Sequence, residues 1–365
     1  MDVALWGDAL QPQLTGIGRY TLELLRGLPD DPRVDSVATW ARQRLVEEPE
    51  LLLTEGKLGR RPKLVRPLLR WSDRRRLKNR LFHGPNYFLP DFVERGIVTV
   101  HDLSVLRFPE THPAERLRQF ARDLPRSLDR AEHVITDTET VRQEVIAEFG
   151  LAPARVTAVP LGVSANFRPA TILEVAEPLA RYGLDAGGYA LSVSTIEPRK
   201  KIAELVAAWR LLPTDLRRQF PLVLAGAKGW RDAELLAAID RGAAEGWLKL
   251  LGYVPEEDLP ALYAGARLFI YPSIYEGFGL PPLEAMASGV PVVVANRSCL
   301  PEVCGDAAFF VDPDDVESFA GALAHALTDE ADRCRKVTQG SARATSYDWG
   351  RCIRETVDVY STLGR

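Results

Sequence analysis

Among these 365 residues there is no run of about 18 consecutive apolar positions, so nothing in the sequence is built to span a bilayer. The opening MDVALWGDAL has no basic flank and no long apolar stretch, so it does not read as a secretory signal. Cysteine is scarce. The four present, Cys299, Cys304, Cys334 and Cys352, form no CxxC pair and no His-paired zinc spacing. Reduced thiols in a cytoplasmic protein are the expectation. GxSxG, HExxH and Walker loops are missing, which removes support for hydrolase and nucleotide-triphosphatase readings. No fixed-period repeat and no low-complexity tract occurs.

What is present is charge, unevenly spread. The net charge is −4, yet residues 57–80 hold eleven Lys or Arg and one acid, Asp73. Leu64, Val65, Leu68, Leu69 and Trp71 are interleaved with those cations. Such a stretch suits an anionic membrane surface, with the apolar groups dipping in. It equally suits a solvated basic helix packed on its own domain. No base-reading motif accompanies it, so nucleic acid is not expected as a partner.

Short apolar strands alternate with amphipathic helices. VALWG, RLFHG, GIVTVHD, HVITDT and RVTAVPLGV are strand candidates, with helical stretches such as PAERLRQFARDLPRSLDRA and TVRQEVIAEFG between them. The pattern lapses in NFRPATILEVAEPLARYGLD and restarts with YALSVST, PLVLAGA, LKLLGYV, LFIYPS, VPVVVAN and AAFFVDP. This predicts an α/β protein of two doubly wound parallel sheets in series, residues 1–168 and 169–345. Open sheets of this kind bind ligands beyond the carboxyl ends of their strands, so two such edges are expected to face a central cleft.

The chemistry-bearing residues gather at those strand ends. LTGIGRY follows the first strand, and its Gly16 and Gly18 allow close backbone approach to a ligand. His83 and Asn86 follow RLF, and His101 with Asp102 follows IVTV; each is a ligand candidate or an ordinary structural residue. Arg199 and Lys200 follow LSVST, where paired cations suit a departing diphosphate, or else form a surface pair. In YEGFGLPPLEAMASGVPVV, Gly277 and Gly279 open a loop whose amides face a helix start, and Glu276 and Glu284 flank it. Glu284 is expected in the first helical turn, where it accepts ribose hydroxyls or merely caps. Glu276, on the other side of the loop, suits sugar hydroxyls, because a buried carboxylate needs a partner, or else merely caps and solvates the helix. Asp312-Pro-Asp314 has the spacing of a metal motif, but it precedes a helix and capping explains it, so no metal is assigned.

Taken together these segments resemble a known family. YEGFGLPPLEAMASGVPVV resembles the E-x7-E segment of retaining glycosyltransferases of family 4, which have the GT-B fold. TGIGRYTLELL, FHGPNYFLP, VTVHDLSVLRFPETHP, VITDTETVRQEV, VTAVPLGV and STIEPRK resemble the bacterial mannosyl and rhamnosyl transferases of that family, which build O-antigen and related polysaccharides. The resemblance spans nearly the whole chain. It implies that Glu276 contacts the donor hexose, that the amides of Phe278, Gly279 and Leu280 meet sugar and diphosphate, and that Glu284 holds the ribose. It implies a diphosphate clamp of Arg199 and Lys200, with Gly16 and Gly18 approaching from the N-terminal domain. His101 then lies beside the donor sugar, Tyr253 and Val254 border the base, and His83, Asn86 and Asp102 are acceptor-side candidates. A final helix, 346–365, is implied to cross back onto the N-terminal domain. The sequence departs from the family at Ser194, where many relatives carry an arginine, and at Lys201, where asparagine is common.

The implied reaction moves a hexose from a nucleotide sugar, GDP-mannose or GDP-rhamnose, with retained configuration and no metal. The implied acceptor is a lipid-diphosphate-linked glycan at the inner face of the cytoplasmic membrane. A nucleotide-sugar epimerase and a non-catalytic glycan-binding protein are the alternative readings. The presence of Glu276, Glu284, Arg199 and Lys200 together speaks against the second.

Overall fold

The strands follow from their burial. VVVA, LVLA and LFIY are buried at every position, as befits parallel strands covered on both faces. The computed structural model describes residues 1–54, 66–226 and 233–363. The basic stretch is therefore described only from 66 onward; residues 57–65, with Leu64 and Val65, lie outside the described residues.

Two compact units result. The first comprises Met1–Gly162 and Trp349–Arg365, the second Val163–Asp348. In the first, the strands are β1 (Asp2–Trp6), β2 (Ser36–Ala41), β3 (Arg44–Val46), β4 (Leu81–Gly84), β5 (Gly96–Val100), β6 (Ala131–Thr136) and β7 (Val156–Ala158). Their spatial order is β3-β2-β1-β4-β5-β6-β7. All neighbours are parallel except the β2–β3 hairpin. That hairpin is absent from the sequence reading. Its turn residues, Arg42 and Gln43, both have positive φ, 49° and 61°, where Asn-Gly is the usual turn pair.

The second unit holds β8 (Ala190–Val193), β9 (Leu222–Ala225), β10 (Leu248–Gly252), β11 (Leu268–Tyr271), β12 (Val292–Ala295) and β13 (Ala308–Val311), all parallel. Their order is β10-β9-β8-β11-β12-β13. In each sheet the strand order reverses once, between β1 and β4 in the first and between β8 and β11 in the second. Crevices in open sheets form at such points.

The unit boundaries fall at 162/163 and 348/349 rather than at the expected 168 and 345. Phe167 packs edge-on against Tyr263 at 5.4 Å, and Val163 N donates to Tyr347 O at 2.9 Å, so both margins belong to the second unit. The last helix, Trp349–Leu363, packs on the first unit. Tyr360, Val357 and Cys352 are fully buried there. Each large side chain so buried stabilises by roughly 1.5–3 kcal/mol. The approach is close: a Cβ at Gly27 would lie 1.9 Å from Ile353 Cδ1.

Candidate active site

The site of the second unit is assembled at its switch point. After β8 a short turn, Pro198–Lys200, presents two cations. After β11 the chain runs through Ser273 to Glu276. Ile274 N donates to Arg199 O at 2.9 Å, which ties the two strand ends together. Lys200 Nζ donates to the Tyr271 hydroxyl at 2.7 Å and to the Glu276 carboxylate. The Tyr271 hydroxyl in turn donates to Glu276 Oε1 at 2.9 Å. Arg199 Nη1 donates to Tyr275 O at 2.8 Å and stands 3.4 Å from Glu276 Oε1, while Nη2 pairs with Glu197 at 2.7 Å. Two cations are thus balanced by two carboxylates, all largely withdrawn from water. The carboxylate of Glu276 is satisfied within the chain.

Burial and the neighbouring Arg199 push Lys200 below the usual lysine range, against the pull of Glu276. For Glu276, burial works upward, but Lys200 and Arg199 outweigh it and hold the carboxyl below its ordinary value. Low dielectric strengthens each of these interactions.

The loop after Glu276 is bolted to the turn following β12. Ser298 Oγ donates to Glu276 O at 2.9 Å, and Cys299 Sγ to the carbonyls of Glu276 and Phe278, both at 3.2 Å. Phe278 is buried and its ring meets Tyr347 edge-on at 5.5 Å. Gly279, at φ 100°, enters the helix Leu280–Ala287, a conformation costly for any residue with a Cβ. Pro281 and Pro282 carry no N–H, so the free helical donors at this entrance narrow to the amides of Gly279 and Leu280. Glu284 is the fifth residue of that helix, beyond the first turn expected for it. It is half-buried, and its carboxylate raises the pKa of the buried Tyr263 hydroxyl after burial itself. Tyr253 is 59% exposed beyond β10, whereas Val254 is buried.

The two departures from the family are accounted for locally. Ser194 donates its backbone N–H to Ala225 O at 3.0 Å and brings no charge. Lys201 adopts φ 54°, the left-handed region that asparagine tolerates well, and pairs with Glu204 and Asp314, each at 2.7 Å. Asp312 pairs with Arg297 at 2.9 Å and accepts from Asp314 N. Among the described residues no group of three or more His, Cys, Asp or Glu side chains is placed to hold a metal ion.

In the first unit two expectations change. Gly16 and Gly18 lie not in a loop but in the first turn of the helix Gly16–Gly27, capped by Thr15, whose Oγ1 accepts from Gly18 N at 3.2 Å. Gly18 is closely packed, since a Cβ would lie 2.8 Å from Ala9 O, whereas one at Gly16 meets nothing within 4 Å. His83 is a core residue, fully buried, with Nδ1 on Tyr360 Oη at 2.6 Å and Nε2 on Thr99 Oγ1 at 2.8 Å. Burial pushes it down to about 3, so it is neutral, and no face is left for an acceptor. Asp102 accepts from Ser104 N at 2.7 Å and starts the short helix Ser104–Arg107. Asn86 is half-buried beyond β4.

His101 is buried, with Nδ1 2.8 Å from Asp137 Oδ2 and Nε2 2.9 Å from Pro85 O. A carboxylate and a carbonyl both lie within reach of the ring, so a protonated imidazole satisfies both nitrogens. Burial opposes that charge, but the Asp137 carboxylate prevails and raises His101 above its usual value. Sequence reading passed over Asp137 and Tyr271. Each stands one residue past, or at the end of, an apolar strand, and strand-end position was the only available signal.

Residues 14–167 match the family described as Glycosyltransferase Family 4, and residues 184–343 that described as Glycosyl transferases group 1. The O-antigen chain mannosyltransferase B of Escherichia coli is 38% identical over 381 residues, covering 100% of both chains. The chain belongs to glycosyltransferase family 4. Solved structures agree on the fold of this family 4 glycosyltransferase. Sucrose-phosphate synthase from Thermosynechococcus elongatus superposes with a TM-score of 0.73 at 21% identity, over 100% of this chain and 99% of that one. Anabaena HepE in complex with UDP-glucose gives 0.75 at 17%, over 99% and 100%. The family 4 glycosyltransferase therefore has the GT-B fold of two Rossmann-like domains. It is a nucleotide-sugar-dependent enzyme related to bacterial mannosyltransferases.

Proposed function

We propose that the protein transfers mannose from GDP-mannose, with retained anomeric configuration, to a growing lipid-diphosphate-linked glycan of the O-antigen type. GDP-rhamnose is the alternative donor. The observation that carries this reading is the full-length likeness to an O-antigen chain mannosyltransferase. The chemistry rests on the cluster at the end of β8 and β11. Arg199 and Lys200 are held by Glu197 and Glu276 until a donor diphosphate takes them over. Glu276 is then released toward the hexose hydroxyls. As the sugar–phosphate bond breaks, charge grows on the leaving diphosphate, and the two cations stabilise it without calling on a metal. The amides of Phe278, Gly279 and Leu280 add dipoles. Glu284 is assigned to the ribose, Tyr253 and Val254 to the base, and His101, Gly16 and Gly18 to the first unit's part in donor binding. Asn86 and Asp102 stay with the acceptor, and His83 is withdrawn.

No side chain is assigned as a covalent nucleophile. Front-face displacement, with the leaving phosphate taking the acceptor proton, fits the two-cation arrangement, and positioning supplies much of the rate. The enzyme is assigned to the inner face of the cytoplasmic membrane. Its helix Arg66–Leu77 exposes Leu68 by 66% and Trp71 by 58% amid arginines, a face suited to anionic lipid. No helix among the described residues is long and apolar enough to cross a membrane.

The test is incubation of the full chain with GDP-mannose, GDP-rhamnose and UDP-glucose and a synthetic lipid-diphosphate glycan, with NMR of the product. Consumption of GDP-mannose and an α-linked product are expected. Exclusive use of UDP-glucose refutes the donor, and an inverted anomer refutes the mechanism.

A further inference from the structure

β11 reads LFIY, and its alternate side chains Phe269 and Tyr271 stand on one face of the sheet. Their rings stack at 6.2 Å with an interplanar angle of 18°. Phe269 meets Tyr263 at 5.1 Å, and Tyr263 meets Phe167 edge-on at 5.4 Å. All four residues are buried, so the ring of Tyr271 ends a close-packed row that holds its orientation. The position of its hydroxyl is therefore set by the sheet and its core.

Packing alone would be served by phenylalanine. The hydroxyl is engaged with the ion pair instead: it accepts from Lys200 Nζ at 2.7 Å and donates to Glu276 Oε1 at 2.9 Å. The ammonium also stands 5.0 Å from the ring centroid. Lys200, Arg199 and Tyr271 all address the same carboxylate oxygen, Oε1. The three contacts differ in kind. Arg199 and Lys200 are charges on long stems, mounted on the short turn Pro198–Lys200, and a diphosphate competes with Glu276 for both. The Tyr271 hydroxyl is neutral, and its single proton is already directed at the carboxylate. Burial and the Glu276 charge push that hydroxyl well above its ordinary range, so it remains a donor. Ser273 lies beside the carboxylate as well, but its hydroxyl is shared with the carbonyls of Arg199 and Tyr275. Once a diphosphate draws the cations off, a carboxylate nearly closed to water loses the charges that keep it ionised. The bond from Tyr271 is not one that the diphosphate competes for.

We propose that Tyr271 is a positioning residue for the transfer. Its hydroxyl holds one oxygen of the Glu276 carboxylate in place, leaving the other for a hexose hydroxyl, while the donor diphosphate draws Lys200 and Arg199 away. The inference rests on the reading of this cluster as the donor site, and it adds the group that lets the cations change partners without displacing the carboxylate. The free enzyme should feel the same hydroxyl. As an acceptor it favours the charged form of Lys200, and as a donor the charged form of Glu276. Arg199 and Glu197 are the other charged groups that face it. Loss of the hydroxyl should therefore lower Lys200 further and raise Glu276.

Tyr271→Phe removes the hydroxyl and keeps the ring row. It is compared with wild type, Glu276→Gln and the double variant, all as the full chain. In steady-state transfer from GDP-mannose, kcat of Tyr271→Phe is expected to fall about 10- to 100-fold, the usual effect of losing a hydrogen bond to a charged group. The donor KM and the calorimetric affinity for GDP are expected to stay within about threefold of wild type, because the diphosphate clamp is untouched. The pH profile of kcat/KM is expected to narrow: the alkaline limb, where Lys200 gives up its proton, moves to lower pH, and the acid limb, where Glu276 gains one, to higher pH. In the Glu276→Gln background the same change is expected to cost less than about twofold in kcat. GDP affinity that falls in step with kcat overturns the inference. So does an unmoved pH profile, or an undiminished cost in the Glu276→Gln background. Failure of wild type to consume GDP-mannose, GDP-rhamnose or UDP-glucose refutes the transferase reading instead. Thermal unfolding of the same four proteins then still decides the contact. A larger drop in midpoint from Tyr271→Phe in the wild-type background than in the Glu276→Gln background leaves Tyr271 as the holder of the carboxylate, and equal drops overturn that too.

Discussion

Replacing Glu276 by glutamine tests the cluster to which the proposed chemistry is assigned. The amide is nearly isosteric, so shape is kept and only charge and acceptor capacity change. Lys200, 7% exposed, then loses its carboxylate and keeps the Tyr271 hydroxyl and a neutral amide oxygen. Arg199 keeps Glu197. Breaking a buried ion pair from one side costs about 3–5 kcal/mol, and the 13% exposure of the Glu276 side chain places this case near about 3 kcal/mol. For a unit of this size 1 kcal/mol moves the midpoint by about 2–4 °C, so a fall of about 6–12 °C is expected in the transition of the second unit. The pH dependence carries a sign. Glu276 titrates below its ordinary 4.5 in the folded state, so its stabilisation is complete above that value and fades as pH drops through the lower folded pKa. Lys200 titrates below its ordinary 10.5, so the ion pair dissolves as pH climbs through that depressed value. The stability gap between wild type and Glu276→Gln should be widest near neutrality and narrow on both sides. Urea unfolding of both proteins from pH 3.5 to 10 measures it, and a gap independent of pH refutes the reasoning. Donor turnover should fall about 10²–10³-fold in the same variant.

Asp137→Asn should remove the charge that keeps His101 protonated. The ¹⁵N shifts of the His101 ring are expected to change from imidazolium to neutral at pH 7, and activity should lose its dependence on pH near the His101 titration; unchanged ring shifts contradict the cationic assignment. Gly18→Ala should cost about 1–3 kcal/mol by crowding Ala9 O, while Gly16→Ala should leave stability within about 0.5 kcal/mol. Calorimetry of the pair reads this directly, and equal effects at the two positions contradict the packing account.

Where a residue's role is set by its own strand or helix, the sequence disclosed it. The continuous apolar runs that became β8 to β13 announced buried parallel strands, and the cations and carboxylates beyond them stood where a sheet edge places ligands. What stayed hidden depends on partners distant in sequence. His83 reads as a strand-end ligand, and only the arrival of Tyr360 from the last helix makes it a core residue. Tyr271 closes an apolar strand and shows its hydroxyl's purpose only once Lys200 lies against it. The β2–β3 hairpin was obscured because its turn is made by Arg42 and Gln43 without glycine or asparagine. Glu284 was misplaced by about half a turn because the helix begins at Leu280 and carries both prolines inside it.

The second unit is one unbroken stretch of chain whose two ends are hydrogen-bonded to each other through Val163 and Tyr347. The first is closed by a helix encoded after it. During synthesis the later half can therefore mature while the earlier half waits, with Tyr20, Gly27 and His83 uncovered, for Trp349, Ile353 and Tyr360 to emerge from the ribosome. A nonsense codon just before Trp349 would leave a sound second unit tethered to a sticky, unfinished first one, so aggregation rather than simple loss of turnover is the failure to look for.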